Sequence, residues 1–171
     1  MFFSQNRPTG GLVIRELNKK DLKDFAELRN SSINESDYML FEPGEITEDK
    51  HSAKQYLGDD TKTILAFLDG ELIGYTFLKI PQYKKSKHCA YLVIAIKKEF
   101  RGRGIGTELM RKAEDLAREM GIMRIELEVM AENPAKNLYE RMGYIVEGRK
   151  IGVIFQNDRY LDVLAMAKHL R

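Results

Sequence analysis

The sequence predicts an α/β (α+β) fold built on one mixed sheet, and three observations carry that prediction. Asp69-Gly70 stands between two β-rich runs, KTILAFL and ELIGYTFLKI, which is a hairpin signal. An apolar run at 88–96 leads through a helical pattern at 105–120 into a second strand-like run at 122–130, a crossover that sets the two strands parallel. Two long strand-like runs, YIVEGRKIGVIFQ and DRYLDVLAMAKHL, flank Asn157-Asp158 near the C-terminus.

Taken in order, residues 1–11 read as a loose leader ending at Gly10-Gly11, and LVIREL (12–17) as a short strand. Asn18 offers a cap for KKDLKDFAELRN, where Leu22, Phe25, Ala26 and Arg29 recur at helical spacing. Residues 30–46 read as irregular, with Pro43-Gly44 as a turn. Thr47 is placed to cap a second helix over EDKHSAKQYL. The hairpin follows, then the polar connection PQYKKSK and the strand HCAYLVIAI, apolar enough to be central. In the next helix Ile105, Leu109, Ala113, Leu116, Ala117 and Met120 trace one face, while Glu108–Lys112 and Glu114–Arg118 pair on the other. Gly121 ends it. After IMRIELEVM, Asn133-Pro134 opens a short helix as N-cap and first-turn proline, and Gly143 closes it. The order is β-α-α-β-β-β-α-β-α-β-β.

Composition narrows the function. The 171 residues suffice for one domain over 1–171 with a core that needs no cross-links. The formal net charge is +2 with signs mixed throughout, which disfavours nucleic acid as a partner. No apolar run approaches the roughly 20 residues that span a bilayer, so no membrane partner is expected. No secretory signal is legible, and the single cysteine, Cys89, excludes an internal disulfide framework; both fit a cytoplasmic location. Three dispersed histidines and one cysteine offer no metal-ligand spacing.

The stretch FRGRGIGT (100–107) gives up side chains between a strand and a helix and supplies two arginines. Glycines let a backbone turn where other residues clash, and helix N-termini present unsatisfied N–H groups to anions. The spacing is neither G-x-G-x-x-G nor a P-loop. By itself it has two readings, a phosphate cradle or a tight connection with solvated arginines.

The neighbours bear on that choice. Arg101-Gly102-Arg103-Gly104-Ile105-Gly106 matches R/Q-x-x-G-x-G/A, and Tyr139 and Gly143-Tyr144 match N-x-x-A-x-x-L-Y-x-x-x-G-Y/F, with Asn133 one residue nearer to Tyr139 than that pattern has it. Together these segments resemble the GNAT superfamily of N-acetyltransferases. The resemblance implies a mostly antiparallel central sheet of six to seven strands with about four helices packed on both faces. It also implies acetyl-CoA as donor and no metal. Arg101, Gly102, Arg103, Gly104, Ile105, Gly106 and Thr107 would form the pyrophosphate cradle. Backbone groups of Ile94, Ala95 and Ile96 would bind the pantetheine and thioester. Asn133 would contact the pantetheine arm, with Lys136 and Asn137 beside it. Tyr139 would be the general acid for the departing thiolate. On spacing alone Tyr139 is a packing residue at the edge of an apolar face, and Asn133 a helix cap.

The base and the acceptor are less legible. Strand 88–96 carries no acid, unlike many relatives. Glu126 and Glu128 share one face of the next strand and are the base candidates, each with the plainer reading of a solvated carboxylate. Glu42 and Glu45 in the irregular loop are further base candidates with the same plainer reading, His51 and His88 are weaker ones, and His169 reads as solvated. Loop 31–46 sets Tyr38, Met39, Leu40 and Phe41 among Glu35, Asp37, Glu42 and Glu45. Tyr38, Phe41 and Glu42 are therefore the substrate candidates. Aromatics with carboxylates suit a cationic amine, on a small molecule or a peptide N-terminus. A CoA-binding sensor without turnover is the alternative class, and homodimer formation through the edge of the last hairpin is a further expectation.

Overall fold

A computed structural model describes residues 11–171; most of the leader at 1–11 lies outside the described residues. Seven strands form one sheet: β1 (Leu12–Glu16), β2 (Thr61–Leu68), β3 (Glu71–Lys79), β4 (Cys89–Ile96), β5 (Arg124–Met130), β6 (Ile145–Gln156) and β7 (Arg159–His169). Their order is β1-β2-β3-β4-β5-β7-β6. Every neighbouring pair is antiparallel except β4–β5, which is parallel.

The helices lie on opposite faces. On one, α1 (Leu22–Glu35) and a 3₁₀ helix (Ser52–Leu57) bury Phe25, Ala26 and Tyr56 against Tyr75 and Phe77 of β3. On the other, α2 (Ile105–Glu119) and α3 (Lys136–Arg141) bury Leu109, Met110, Ala113 and Tyr139 against Ile73, Leu92, Ile125 and Leu127. Of the apolar face expected for α2, Ile105, Leu109, Ala113 and Ala117 are buried and Leu116 is partly so, while Met120 lies past the helix end and is exposed. Glu108 pairs with Arg111 rather than Lys112, Glu114 keeps Arg118 but is itself buried, and Gly121 takes φ of +74°.

Three local expectations are corrected. Asn18 does not cap α1. Its side chain accepts the N–H of Lys20, and Asp21 accepts the N–H of Asn18 while gripping Arg15 with both oxygens, so a turn intervenes and the helix starts at Leu22. That helix also runs past Asn30 to Glu35, because Ile33 is drawn into the core. The segment after Thr47 is a turn and a 3₁₀ helix rather than an α-helix; Asp49, not Thr47, accepts its first N–H groups, from His51 and Ser52.

At the far end β6 and β7 form a long hairpin that leaves Ile151 and Tyr160 85% and 76% exposed. Among the described residues no helix is long and apolar enough to cross a membrane.

Candidate active site

β4 and β5 pair only from Cys89–Tyr91 to Arg124–Glu126. Beyond that the strands part, and the gap opens into a cavity of about 830 Å³. β4 stays paired with β3 to its end, and the N–H of Lys97 donates to the Ile73 carbonyl at 2.9 Å. Antiparallel pairing alternates, so Val93, Ala95 and Lys97 direct backbone groups at β3 while Leu92, Ile94 and Ile96 direct theirs at the gap. Arg101 Nε donates to the Ile96 carbonyl at 3.0 Å. The N–H and C=O of Ile94 face no strand. A residue pair at the mouth of the gap thus offers unspent backbone hydrogen bonds to a ligand.

The glycine segment borders the same cavity. A 3₁₀ turn (Lys98–Phe100) leads into Arg101-Gly102-Arg103-Gly104, where Gly102 and Gly104 take φ of +74° and +81°. Glu108 donates back to the Gly104 carbonyl at 3.2 Å, so Ile105, Gly106 and Thr107 at the head of α2 have no acceptor four residues earlier. Their N–H groups sit at the positive end of the helix dipole. A Cβ on Gly106 would stand 2.8 Å from Leu138 Cδ2 and 3.3 Å from Ile96 Cδ1, so only glycine lets α2 approach α3 and β4 this closely.

Arg101, Gly102, Gly104, Gly106, Thr107, Asn133 and Tyr139 all line the cavity, as do Ile94, Ala95 and Ile96. Arg103, Ile105, Lys136 and Asn137 do not. Arg103 folds back, donating to the Glu99 carbonyl at 3.0 Å with its guanidinium over the Phe100 ring. The Ile105 side chain is in the core, Lys136 pairs with Glu140 at 3.4 Å, and Asn137 points to solvent. Asn133 and Pro134 do not open α3 as N-cap and first residue: the helix starts at Lys136 with Ala135 at the cap position, and the Asn133 side-chain oxygen accepts the N–H of Ala135 at 2.9 Å within the preceding turn, its amide nitrogen staying free for a ligand. Tyr139 is 7% exposed, and burial, with Tyr91 adding to it, pushes its phenol up to about 12. It therefore carries its proton throughout the neutral range.

Of the base candidates, Glu128 lines the cavity and is ion-paired with Lys150. Glu126 shares its face, as strand alternation requires, but lies in a side depression of about 110 Å³ where Arg124 holds it at 3.2 Å. Glu147 also holds Arg124 and is the main cause of its raised pKa. Tyr38 and Phe41 border the cavity; Glu42 does not, being exposed with its N–H bound by the Glu45 carboxylate at 2.9 Å. His51, His88 and His169 are exposed and off the cavity, and burial raises the Cys89 thiol above its usual range. Among the described residues no group of His, Cys, Asp or Glu is placed to hold a metal ion.

The sequence reading missed the polar cluster that floors the far end of the cavity. Arg29 of α1 lies within 5.7 Å of the ring centroids of Tyr56, Tyr75 and Phe77. Glu48, 8% exposed, stands 3.6 Å from Arg29 Nε and accepts from Tyr56 Oη at 2.8 Å and Ser52 Oγ at 2.6 Å. The available signal was an arginine at a core position of an amphipathic helix, where an unpaired charge is not tolerated.

Comparison with known proteins agrees with this geometry. Residues 25–144 match the model of the acetyltransferase (GNAT) family. The L-amino acid N-acetyltransferase AaaT of Escherichia coli is 28% identical over 109 residues, covering 63% of this chain and 67% of its own length. The spermidine N(1)-acetyltransferase of Vibrio cholerae is 29% identical over 160 residues, covering 91% of each. The crystal structure of a GNAT-family acetyltransferase from Streptococcus pneumoniae superposes with a TM-score of 0.87 at 28% identity, over 94% of this chain and 99% of that one. The parted parallel strands, the glycine-headed helix and the family match lead to one statement: the chain belongs to the acetyltransferase (GNAT) family and is an acetyl-CoA-dependent N-acetyltransferase.

Proposed function

We propose that this protein acetylates a primary amine, of a small molecule or a peptide N-terminus, by direct attack with no covalent enzyme intermediate. The observation that carries this reading is a single cavity joining the head of α2, the open edge of β4 and the buried phenol of Tyr139. Acetyl-CoA, when bound, supplies the thioester whose carbon–sulfur bond breaks as the carbon–nitrogen bond of the amide forms.

The chain's own groups divide the remaining work. The N–H groups of Ile105, Gly106 and Thr107, with Arg101, hold the pyrophosphate. Ile94 and the Asn133 amide orient the pantetheine. The N–H on the open edge of β4 faces the position where the carbonyl oxygen gains charge. Tyr139 donates its proton to the departing sulfur, and its high pKa keeps that proton available. Glu128, directly or through water, accepts the proton the amine loses. Its ion pair with Lys150 holds it at the cavity wall. The protons balance: the cationic amine gives one proton to solvent before it attacks and a second to Glu128 as the amide forms, Tyr139 gives one to sulfur, and exchange with water resets both residues.

The exposed Ile151, Val153, Phe155 and Tyr160 on the terminal hairpin support a homodimer through that surface. For the donor site, calorimetric titration with acetyl-CoA, and with ATP and NAD in parallel, tests the reading. Selective binding that Gly104→Asp abolishes in a folded variant supports it. Unchanged affinity in that variant overturns it.

A further inference from the structure

Resting on the acetyltransferase reading above, we propose that Arg29 binds an anionic group of the acceptor, so that the acceptor is an amino acid with a free carboxylate rather than a polyamine.

The argument begins with hydrogen-bond supply. A guanidinium carries five N–H donors and no acceptor. Arg29 is 7% exposed, yet among the described residues it makes one hydrogen bond, from Nη1 to the Tyr75 hydroxyl at 3.3 Å. Its Nε is buried with no hydrogen-bond partner, and Glu48 at 3.6 Å is an ion-pair distance rather than a hydrogen bond. Buried donors left unmet are costly, and a guanidinium fork matches a carboxylate. Glu48 meets little of the deficit, because it stands 3.6 Å from Arg29 Nε while accepting from Tyr56 and Ser52.

Placement makes those donors relevant to the acceptor. Arg29 lines the cavity beside Tyr75 and Phe77, which pair across the sheet with Ala95 and Val93 of the open strand. The charge therefore lies over β3, on the face of the sheet that the Val93 and Ala95 side chains of the open strand share, and an acceptor bound against that strand meets the guanidinium in the same cavity.

The charge balance points the same way. On this side of the sheet the cavity is lined by Arg29, Lys79 and Glu128; Lys79 is paired with Asp60 at 2.8 Å and Glu128 with Lys150, while Arg29 has the looser partner, Glu48 at 3.6 Å. The acids of loop 31–46 that would favour a polycation, Glu35, Asp37, Glu42 and Glu45, face solvent and do not border it. Tyr38, Met39, Leu40 and Phe41 do border it, giving an apolar wall for a side chain.

The test measures CoA thiol release with each of the twenty L-amino acids, each matching C-terminal amide, and spermidine. The expected result is that the best amino acid exceeds its amide by about 10²-fold in kcat/KM, since loss of the carboxylate leaves the buried Arg29 donors without a hydrogen-bond acceptor. Arg29→Gln should erase that ratio by raising KM for the acid, with acetyl-CoA affinity retained, and Arg29→Lys should restore part of it. Spermidine or the amides used as well as the acids overturns the inference, as does turnover of no amino acid, or an unchanged ratio in Arg29→Gln. If Arg29→Gln does not fold, the acid-to-amide ratio of the unaltered protein decides alone. Failure to bind acetyl-CoA overturns the reading beneath it instead.

Discussion

Gly106→Ala isolates the contact that sets α2 against α3. The added Cβ would lie 2.8 Å from Leu138 Cδ2 and 3.3 Å from Ile96 Cδ1. Ordinary contact begins near 3.4 Å, so the first neighbour must retreat by about 0.6 Å. Leu138 is partly buried against the core, so the motion falls on its rotamer or on α3 itself. Overpacking of this kind costs about 1–3 kcal/mol, against a gain of up to about 1 kcal/mol for replacing glycine in a helix. The net loss is about 0–2 kcal/mol, or at most about 8 °C in Tm for a chain of this size. Turnover should suffer more than stability. Tyr139 follows Leu138 on α3, and a misplacement of about 1 Å at a reacting group can cost about 10²-fold, so half that displacement should lower kcat about 10-fold. Thermal melts and steady-state CoA release read the two effects. Leu138→Ala opens the space, so the double variant should recover kcat relative to Gly106→Ala alone. Full activity in Gly106→Ala, or effects that simply add with Leu138→Ala, would refute the packing argument.

Tyr139→Phe should lower kcat by about 10²-fold with little change in acetyl-CoA affinity, as expected for loss of a general acid; an unchanged rate returns Tyr139 to packing. The phenol's raised pKa means the fold holds its proton more tightly than the unfolded chain does. Stability is then intact below about pH 10 and declines as pH rises toward about 12, with Tyr56, Tyr75 and Tyr144 shifted the same way by burial. Melts followed across that range, with phenolate absorbance, check it. Asp21→Asn should destabilise by about 1–2 kcal/mol at neutral pH, the 40% exposure of the Arg15 side chain keeping the value low. Because Arg15 holds the Asp21 carboxyl below its usual range, that gap should persist above about pH 4 and close as pH falls further; a gap that ignores pH refutes the ion pair. Ile151→Glu should convert a dimer to a monomer in sedimentation if the terminal hairpin is the interface.

How much of this was legible in sequence depends on the range of the interaction involved. The face of α2 and the hairpin at Asp69-Gly70 are set by neighbours a few residues apart, and both stand where periodicity and turn chemistry put them. The segment from Asn18 to Asp21 is also local, yet Asp21 answers to Arg15 on a strand as well as to its own helix, which displaced the cap. The glycine segment was legible because positive φ at Gly102 and Gly104 leaves a signature in residue type, whereas Asn133 and Pro134 signalled a turn and the helix begins only at Lys136.

Arg29 was not legible as a site residue, since nothing near it in the chain announces Glu48, Tyr75 or Phe77. Likewise the acids of loop 31–46 share a stretch with Tyr38 and Phe41 but not a direction. Residue order alone was enough for the succession of strands and the glycine-headed start of α2, which follow from local backbone chemistry, and for the family, which two motifs carry. Only the tertiary structure decided which carboxylate borders the cavity and that its far wall carries a buried guanidinium. Those depend on how far β4 parts from β5 and on which faces α1 and β3 turn toward each other across the core.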